Sequence, residues 1–165
     1  MKIYLTTPDK VHAVLDEVLR GILGDYETEK NQFGKPYVRG NDIFFNISHS
    51  GNYAAAAVSD KPVGIDIEVI KGRGHQALLK KFSEAERSEI KGEADFLKHF
   101  TAREAYVKYK GVSLFPLLKR LAFIGGDIFL DGERQAEKIK TFTFGGFILS
   151  VCGEGEIQFI DTQSG

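Results

Sequence analysis

The sequence predicts an α+β fold made of two similar lobes arranged as a pseudo-dimer, each with a helix packed on a small antiparallel sheet. The predicted elements follow the order strand, helix, three strands, helices, strands, which indicates two such lobes. The length of 165 residues suits one domain that contains both. A content of 42% hydrophobic and 27% charged residues is typical of globular proteins and excludes a disordered or fibrous chain. We therefore expect an N-terminal lobe over residues 1–70 and a C-terminal lobe over residues 71–165.

The first lobe begins with a short strand and a helix. Residues Lys2–Leu5 predict the strand, and Pro8-Asp9 opens the helix, which ends near Gly24. Apolar residues recur through this helix at helical spacing, and they are Val11, Val14, Leu15, Val18, Leu19 and Ile22. Residues 25–42 are polar and predict a loop with one short strand.

Three strands separated by tight turns complete the first lobe. The strands are Ile43–Ser48, Tyr53–Ser59 and Val63–Glu68. Ser50-Gly51-Asn52 and Asp60-Lys61-Pro62 supply the residues that favour turns. Consecutive strands joined by short turns predict a β-meander.

The second lobe begins with a loop and two helices. Residues 71–76 predict a mobile loop, and Ser83 with Glu86 forms the capping-box pattern that starts a helix. A second helix is predicted over Phe96–Tyr109, ending at Gly111. Apolar segments with intervening glycines then predict a second antiparallel sheet, formed by Ala122–Leu130, Thr141–Phe144, Phe147–Cys152 and Ile157–Ile160.

Charge and cysteine content restrict the function classes. A net charge of -1 gives no general attraction to nucleic acid or membrane surfaces. The single Cys152 excludes an internal disulfide or a cysteine-cluster zinc site, and the N-terminus lacks a signal-peptide core, so we expect a cytoplasmic protein. Residues 71–120 nevertheless carry 12 Lys/Arg and 6 Asp/Glu. This basic block indicates either solvated helix faces or a surface for an acidic or phosphorylated partner.

Asp66 and Glu68 are the first candidates for chemistry. They lie two residues apart on a predicted strand, so both carboxylates share one face. Paired carboxylates suit Mg²⁺, although an edge strand facing solvent would show the same pattern. Glu104 and Lys108 lie one helical turn apart, which is also typical of an ordinary surface ion pair.

Two further segments carry groups that bind phosphate well. Asn46–Gly51 places hydroxyls and the imidazole of His49 where a strand ends in a turn, and Gly34-Lys35-Pro36 supplies an ammonium group. Turns of this composition also occur without any function.

In this order and spacing, these segments together resemble the 4′-phosphopantetheinyl transferases, and most closely the surfactin-synthetase-activating type. The resemblance covers about residues 34–118 and is most specific where Phe45–Ser50 (FNISHS) is followed by Gly64–Glu68 (GIDIE). It implies an enzyme that transfers the phosphopantetheine arm of coenzyme A to a serine of an apo acyl or peptidyl carrier protein. Adenosine 3′,5′-bisphosphate is released, and Mg²⁺ is the implied cofactor, with Mn²⁺ as an alternative.

The resemblance also implies a role for each matching residue. Asp66, Glu68 and Glu104 match the metal ligands, and Glu104 also matches the group that activates the serine. The implied coenzyme A phosphate contacts and catalytic cations come from four more positions, which are Lys35, Ser48, His49 and Lys108. Carrier proteins of this type are usually acidic, which would give the basic block over residues 71–120 a partner.

Three departures from the family pattern leave alternatives open. Phe100 stands where a tryptophan is usual and Arg103 where a lysine is usual. About 33 residues precede Gly34, roughly half the usual number, and Asp16 and Glu17 have the wrong charge for gripping a phosphate. The alternatives are a non-catalytic coenzyme A or carrier-binding protein, and a metal-dependent phosphoesterase. We expect a monomer, with a partner chain that completes the site as the other possibility.

Overall fold

This computed structural model describes residues 1–162 of the chain. These residues contain four α-helices and twelve strands. The helices are α1 (Val11–Leu23), α2 (Gln76–Leu79), α3 (Glu84–Glu89) and α4 (Glu93–Lys110). The strands are β1 (Lys2–Thr6), β2 (Thr28–Lys30), β3 (Pro36–Val38), β4 (Phe44–Ser50), β5 (Tyr53–Ser59), β6 (Val63–Val69), β7 (Leu121–Ile124), β8 (Asp127–Leu130), β9 (Glu133–Arg134), β10 (Ile139–Thr143), β11 (Phe147–Gly153) and β12 (Gln158–Asp161). The predicted α+β class is confirmed.

The strands form four sheets. A four-stranded sheet has the order β12-β1-β5-β4, and a three-stranded sheet has the order β10-β11-β6. The β2–β3 hairpin forms a small sheet, and β7, β8 and β9 form another. The loop predicted over residues 25–42 therefore contains two short strands instead of one.

The predicted β-meander is wrong at its third strand. β4 and β5 pair antiparallel as expected, but β6 pairs with β11, about 80 residues later in the chain. The short turn after β5 keeps β6 close to the first sheet, yet the backbone ladder of β6 forms with the second. The apolar pattern of β6 specifies a buried strand and does not specify which neighbour it pairs with.

The second antiparallel sheet is also corrected. The segment predicted as Ala122–Leu130 is the β7–β8 hairpin, which forms a sheet with β9. β10 and β11 pair as expected, whereas β12 pairs in parallel with β1 and so joins the first sheet. The C-terminal strand thus closes onto the N-terminal strand, a long-range pairing that local patterns do not reveal.

The core is built in layers around the four-stranded sheet. One face of this sheet packs on the apolar stripe of α1, formed by Val11, Leu15 and Leu19. Its other face packs on the three-stranded sheet, where Ile65 and Leu149 are fully buried. These layers remove large apolar side chains from water, the main favourable term in folding. They also place β4 of the first sheet beside β6 of the second.

α4 packs on the three-stranded sheet and begins earlier than predicted. It starts at Glu93 instead of Phe96, and it ends where expected, because Gly111 takes the left-handed backbone conformation with φ of 69°. The capping box predicted at Ser83 and Glu86 is confirmed at the start of α3. Within residues 1–162 no helix combines the length and the apolarity that crossing a membrane requires.

Because Gly64 has no side chain, α4 can lie directly on β6. A single methyl group added at this position should therefore destabilise the protein. A Cβ at Gly64 would lie 2.0 Å from the Ala105 carbonyl oxygen and 2.3 Å from the Tyr109 nitrogen. Because both are backbone atoms, Gly64→Ala should lower the free energy of unfolding by about 1–3 kcal/mol. The matched control is Gly21→Ala in α1, which has open space around it and should raise that energy by about 0.5–1 kcal/mol. Urea denaturation of both variants tests this, and equal stabilities would contradict it.

Candidate active site

β4 and β6 are joined by side chains instead of by a backbone ladder. Alternation along β4 puts Asn46, Ser48 and Ser50 on the face toward β6. Their side-chain oxygens accept hydrogen bonds from three alternate backbone N–H groups of β6, at 2.8, 3.3 and 3.3 Å respectively. These bonds give partners to the backbone N–H groups on the edge of β6 that does not pair with β11. They also bring the β4 hydroxyls next to the β6 carboxylates.

Asp66 lies at the centre of this junction and is 5% exposed. Its Oδ1 accepts hydrogen bonds from Ser48 Oγ at 2.9 Å and from Lys108 Nζ at 2.7 Å. Its Oδ2 is buried without a hydrogen-bond partner in the described structure. Burial raises the pKa of Asp66, and Lys108 and Ser48 only partly oppose this. A buried oxygen with no partner is costly for a purely structural carboxylate and indicates a site for a cation.

Two more carboxylates face the same region. Ser50 Oγ donates to Glu68 Oε2 at 2.7 Å, so the second β4 serine orients the second β6 carboxylate. Glu104 reaches the region from α4, and burial, together with the negative charge of Asp66, raises its pKa to about 7. Lys108 lies one helical turn after Glu104 and also bonds Ser48 Oγ at 3.1 Å.

These groups line one open cleft of about 410 Å³. The predicted site residues that it brings together are Ser48, His49, Asp66, Glu68, Glu104 and Lys108. A larger cleft of about 580 Å³ lies beside Tyr26, where Arg20 and Arg39 are held in exposed ion pairs with neighbouring acids. The smaller cleft is the better candidate because Asp66 is buried, Glu68 and Glu104 are partly buried, and the polar groups converge.

Lys35 is the predicted site residue that the structure does not bring into the cleft. Its side chain is half-buried, and its Nζ donates to the backbone carbonyl groups of Val63 and Lys108. Two residues that the sequence did not single out line the cleft, His12 from α1 and Ile47 from β4. Phe100, which stands where the family usually has a tryptophan, lines it from α4. His12 lies on an exposed face of an amphipathic helix, and no local pattern distinguishes it from an ordinary surface histidine.

The donor chemistry fits a hard divalent cation. Asp66, Glu68 and Glu104 supply only oxygen atoms, and Oδ2 of Asp66 has no other partner in the described structure. Within residues 1–162, no three His, Cys, Asp or Glu side chains lie close enough together to hold a metal ion in this conformation. The three carboxylates therefore share the cleft without converging on one point. Their mutual repulsion raises the pKa of Glu104 beyond the effect of burial.

Comparison with known proteins shows which family has a sequence like this one. The 4′-phosphopantetheinyl transferase superfamily model matches residues 62–156, which include β6 and all of α4. A 4′-phosphopantetheinyl transferase of Bacillus subtilis is 36% identical over 90 residues, covering 50% of this chain and 40% of that protein. A second, from Bacillus pumilus, is 41% identical over 93 residues, covering 52% of this chain and 39% of that protein.

A more distant relative matches over a longer range. An L-aminoadipate-semialdehyde dehydrogenase-phosphopantetheinyl transferase of Xenopus laevis is 29% identical over 175 residues, covering 82% of this chain and 56% of that protein. The chain spans about half of the length of these curated relatives, or less. The family match itself covers more than half of the chain and includes the carboxylates and the lysine of the cleft. The chain therefore belongs to the 4′-phosphopantetheinyl transferase superfamily.

Proposed function

We propose that the protein transfers the 4′-phosphopantetheine group of coenzyme A to a serine hydroxyl of an apo acyl or peptidyl carrier protein. The observation that carries the proposal is the cleft, which gathers three carboxylates and Lys108 on elements that match the superfamily and adds His49 from β4. In the reaction the serine oxygen forms a bond to the phosphorus that carries the pantetheine arm. The bond from that phosphorus to the bridging pyrophosphate oxygen breaks, and adenosine 3′,5′-bisphosphate leaves.

The ammonium, imidazole and hydroxyl groups that line the cleft suit the pyrophosphate of coenzyme A. Lys108 reaches the cleft between Ser48 and Asp66, so its ammonium group can stabilise the charge that develops on the leaving bisphosphate. His49 is exposed at the end of β4 and lines the same cleft, so its ring nitrogens can contact a phosphate oxygen. Ser48 completes the proposed phosphate contacts.

Glu104 is the proposed base that accepts the proton of the carrier serine. Burial and the neighbouring Asp66 raise its pKa to about 7, which suits proton transfer near neutral pH. A carboxylate with an ordinary pKa would be a weaker base. The serine hydroxyl is a poor nucleophile until its proton is removed.

Asp66, Glu68 and Glu104 are the proposed ligands of Mg²⁺, with Mn²⁺ as an alternative cofactor. When bound, a divalent cation neutralises charge on the pyrophosphate. On the protein side, Ser48 and Ser50 each donate a hydrogen bond to one β6 carboxylate and so fix its orientation before any ligand binds.

The remaining expectations are proposals of the same kind. The basic block over residues 71–120 provides a surface that complements an acidic carrier protein. We also propose two lobes divided near residue 70, a monomeric state and a cytoplasmic location. With that division, the pairing of β6 with β11 joins the two proposed lobes.

Mass spectrometry of apo carrier proteins tests the proposed function. We expect a carrier incubated with the protein, coenzyme A and Mg²⁺ to gain the mass of phosphopantetheine on its serine. Apo carriers from fatty-acid, polyketide and peptide systems should be offered in parallel, each with a serine-to-alanine control. Coenzyme A binding without transfer to any of them would indicate a non-catalytic binding protein. Release of free phosphopantetheine without a carrier would indicate a phosphoesterase.

A further inference from the structure

We propose that Lys35 is a positioning residue that holds the C-terminal end of α4, and through it Lys108, and that it does not contact coenzyme A. The inference rests on the proposed function, because it concerns how Lys108 is placed for the leaving group. It differs from the role that the family resemblance implies for Lys35, which is a direct phosphate contact.

The ammonium group of Lys35 is surrounded by backbone carbonyl oxygens. Its Nζ lies 2.5 Å from the oxygen of Lys108, 3.1 Å from that of Val63 and 3.4 Å from that of Tyr109. An ammonium group has three N–H donors, so these three acceptors use all of them. No donor remains for a phosphate unless at least one of these hydrogen bonds is broken.

The position of Lys35 suits a helix cap. The last carbonyl groups of a helix have no partner within it, and they carry partial negative charge. Lys35 supplies a cation to the carbonyls of Lys108 and Tyr109 at the end of α4, the first of which also accepts from the backbone N–H of Gly111. Its third acceptor, on Val63, lies at the start of β6, so one side chain ties the helix end to the strand that carries Asp66.

A second residue of the same hairpin makes the same connection. Asn31 Nδ2 donates to the carbonyl oxygen of Gly111, the residue that ends α4, at 2.8 Å. Asn31 Oδ1 accepts hydrogen bonds from the backbone N–H groups of Phe33 and Lys35, both at 2.9 Å. The turn between β2 and β3 is thus shaped by Asn31 and presents both side chains to the last turn of α4.

This connection continues into the cleft through Lys108. Lys35 bonds the backbone carbonyl of Lys108, while the side chain of Lys108 bonds Asp66 and Ser48. Displacing the last turn of α4 would therefore move the ammonium group that faces the pyrophosphate. A misplacement of about 1 Å in such a group can cost about 100-fold in rate.

Amine labelling of the unmodified protein tests the placement directly. Burial lowers the pKa of Lys35 to about 8, so an accessible Lys35 would react faster than ordinary lysines in mildly alkaline buffer. We expect the opposite: an acylating reagent leaves Lys35 unmodified with and without coenzyme A, and modifies it once the chain is unfolded in guanidinium chloride. Lys35 that reacts in the free protein and is protected by coenzyme A would overturn the proposal.

The same experiment separates this inference from the proposed function. Lys108 has a side chain that is 28% exposed, and coenzyme A should protect it from the reagent. Failure of coenzyme A to protect Lys108 would count against the proposed function and would leave the result for Lys35 unaffected. Lys35 that reacts in the folded protein overturns the inference whether or not Lys108 is protected.

Variants then test the route through Lys108. Lys35→Met should lower kcat/KM by about 10- to 100-fold, and by the same factor for coenzyme A and for 3′-dephospho-coenzyme A. In a Lys108→Ala background Lys35→Met should have no further effect, because the two changes act through one group. The control Lys30→Met removes an exposed lysine of the same hairpin and should change nothing. A loss specific to the 3′-phosphate, or additive losses, would show direct contact with the substrate.

Discussion

Glu104→Gln should abolish phosphopantetheine transfer while the metal-free protein becomes more stable. Removing a general base typically lowers the rate by about 10²- to 10⁴-fold, and the proposed metal site loses a charged ligand as well. The same substitution removes the negative charge of Glu104, which is repelled by the carboxylate of Asp66 in the cleft. Loss of activity with a gain in stability is expected at a site where repelling groups are kept for function.

The sign of the stability effect follows from the pKa of Glu104. Its pKa is about 7 in the folded metal-free protein, against an ordinary value of 4.5. The folded state therefore holds this proton more tightly than the unfolded chain does, and stability falls as the pH rises between those two values. Glutamine carries no titrating proton, so the variant does not lose this stability. The gain in stability of Glu104→Gln over the wild type is therefore absent below about pH 4.5 and complete above about pH 7.

Thermal denaturation in the presence of EDTA measures this effect, and carrier mass spectrometry measures the activity. The melting temperature of Glu104→Gln should exceed that of the wild type above neutral pH and match it near pH 4.5. Glu17→Gln, which removes an exposed carboxylate of α1, is the control and should alter neither property. Transfer at the wild-type rate by Glu104→Gln would refute the proposed roles of this residue.

Local patterns predicted which polar side chains lie together better than they predicted the strand partners. The two-residue spacing of Asp66 and Glu68 and the four-residue spacing of Glu104 and Lys108 each place a pair on one face, and the cleft contains all four. Pairing of β6 with β11 and of β12 with β1 depends on segments far apart in the chain. Such pairings follow from how whole layers pack, and a strand pattern carries no information about them.

Lys35 shows a different limit of sequence reasoning. The segment Gly34-Lys35-Pro36 indicates a turn with a cation, but the direction of that cation depends on where the β2–β3 hairpin lies. The hairpin contacts the end of α4 through Asn31, and this turns the Lys35 ammonium group toward helix carbonyls. A contact across about 75 residues of chain determines the environment of the residue, so its spacing from other motifs could not reveal it.

Glu86 was recognised from the capping-box pattern, yet its larger role is a buried ion pair. Its carboxylate accepts hydrogen bonds from Arg103 Nε at 3.1 Å, from Arg103 Nη2, and from the backbone N–H of Phe123 at 2.8 Å. Both side chains of the pair are fully buried, and the guanidinium group lies 3.8 Å from the centre of the Phe82 ring. Although burial opposes it, nearby His99 and the charge of Arg103 hold the pKa of Glu86 below its usual range.

Arg103→Met should therefore cause the largest loss of stability among these variants, with a fall of about 3–5 kcal/mol in the free energy of unfolding. The substitution leaves the Glu86 carboxylate buried without its counter-ion, and it also frees the carbonyl of Leu118, which accepts from Arg103 Nη1 at 2.9 Å. Adding Glu86→Gln should recover part of the lost free energy of unfolding, because the buried carboxylate that has no counter-ion is then removed.

The control for Arg103 is the pair between Arg120 and Asp131, whose side chains are 51% and 52% exposed. Both pairs join a guanidinium group to a carboxylate through more than one hydrogen bond, and they differ chiefly in burial. Arg120→Met should cost only about 0–1 kcal/mol, because water already solvates both charges. Denaturant titration of the two variants compares them directly. Equal losses would mean that burial does not decide the contribution of these pairs, and a fully stable Arg103→Met would show that the Glu86 charge is neutralised by another group.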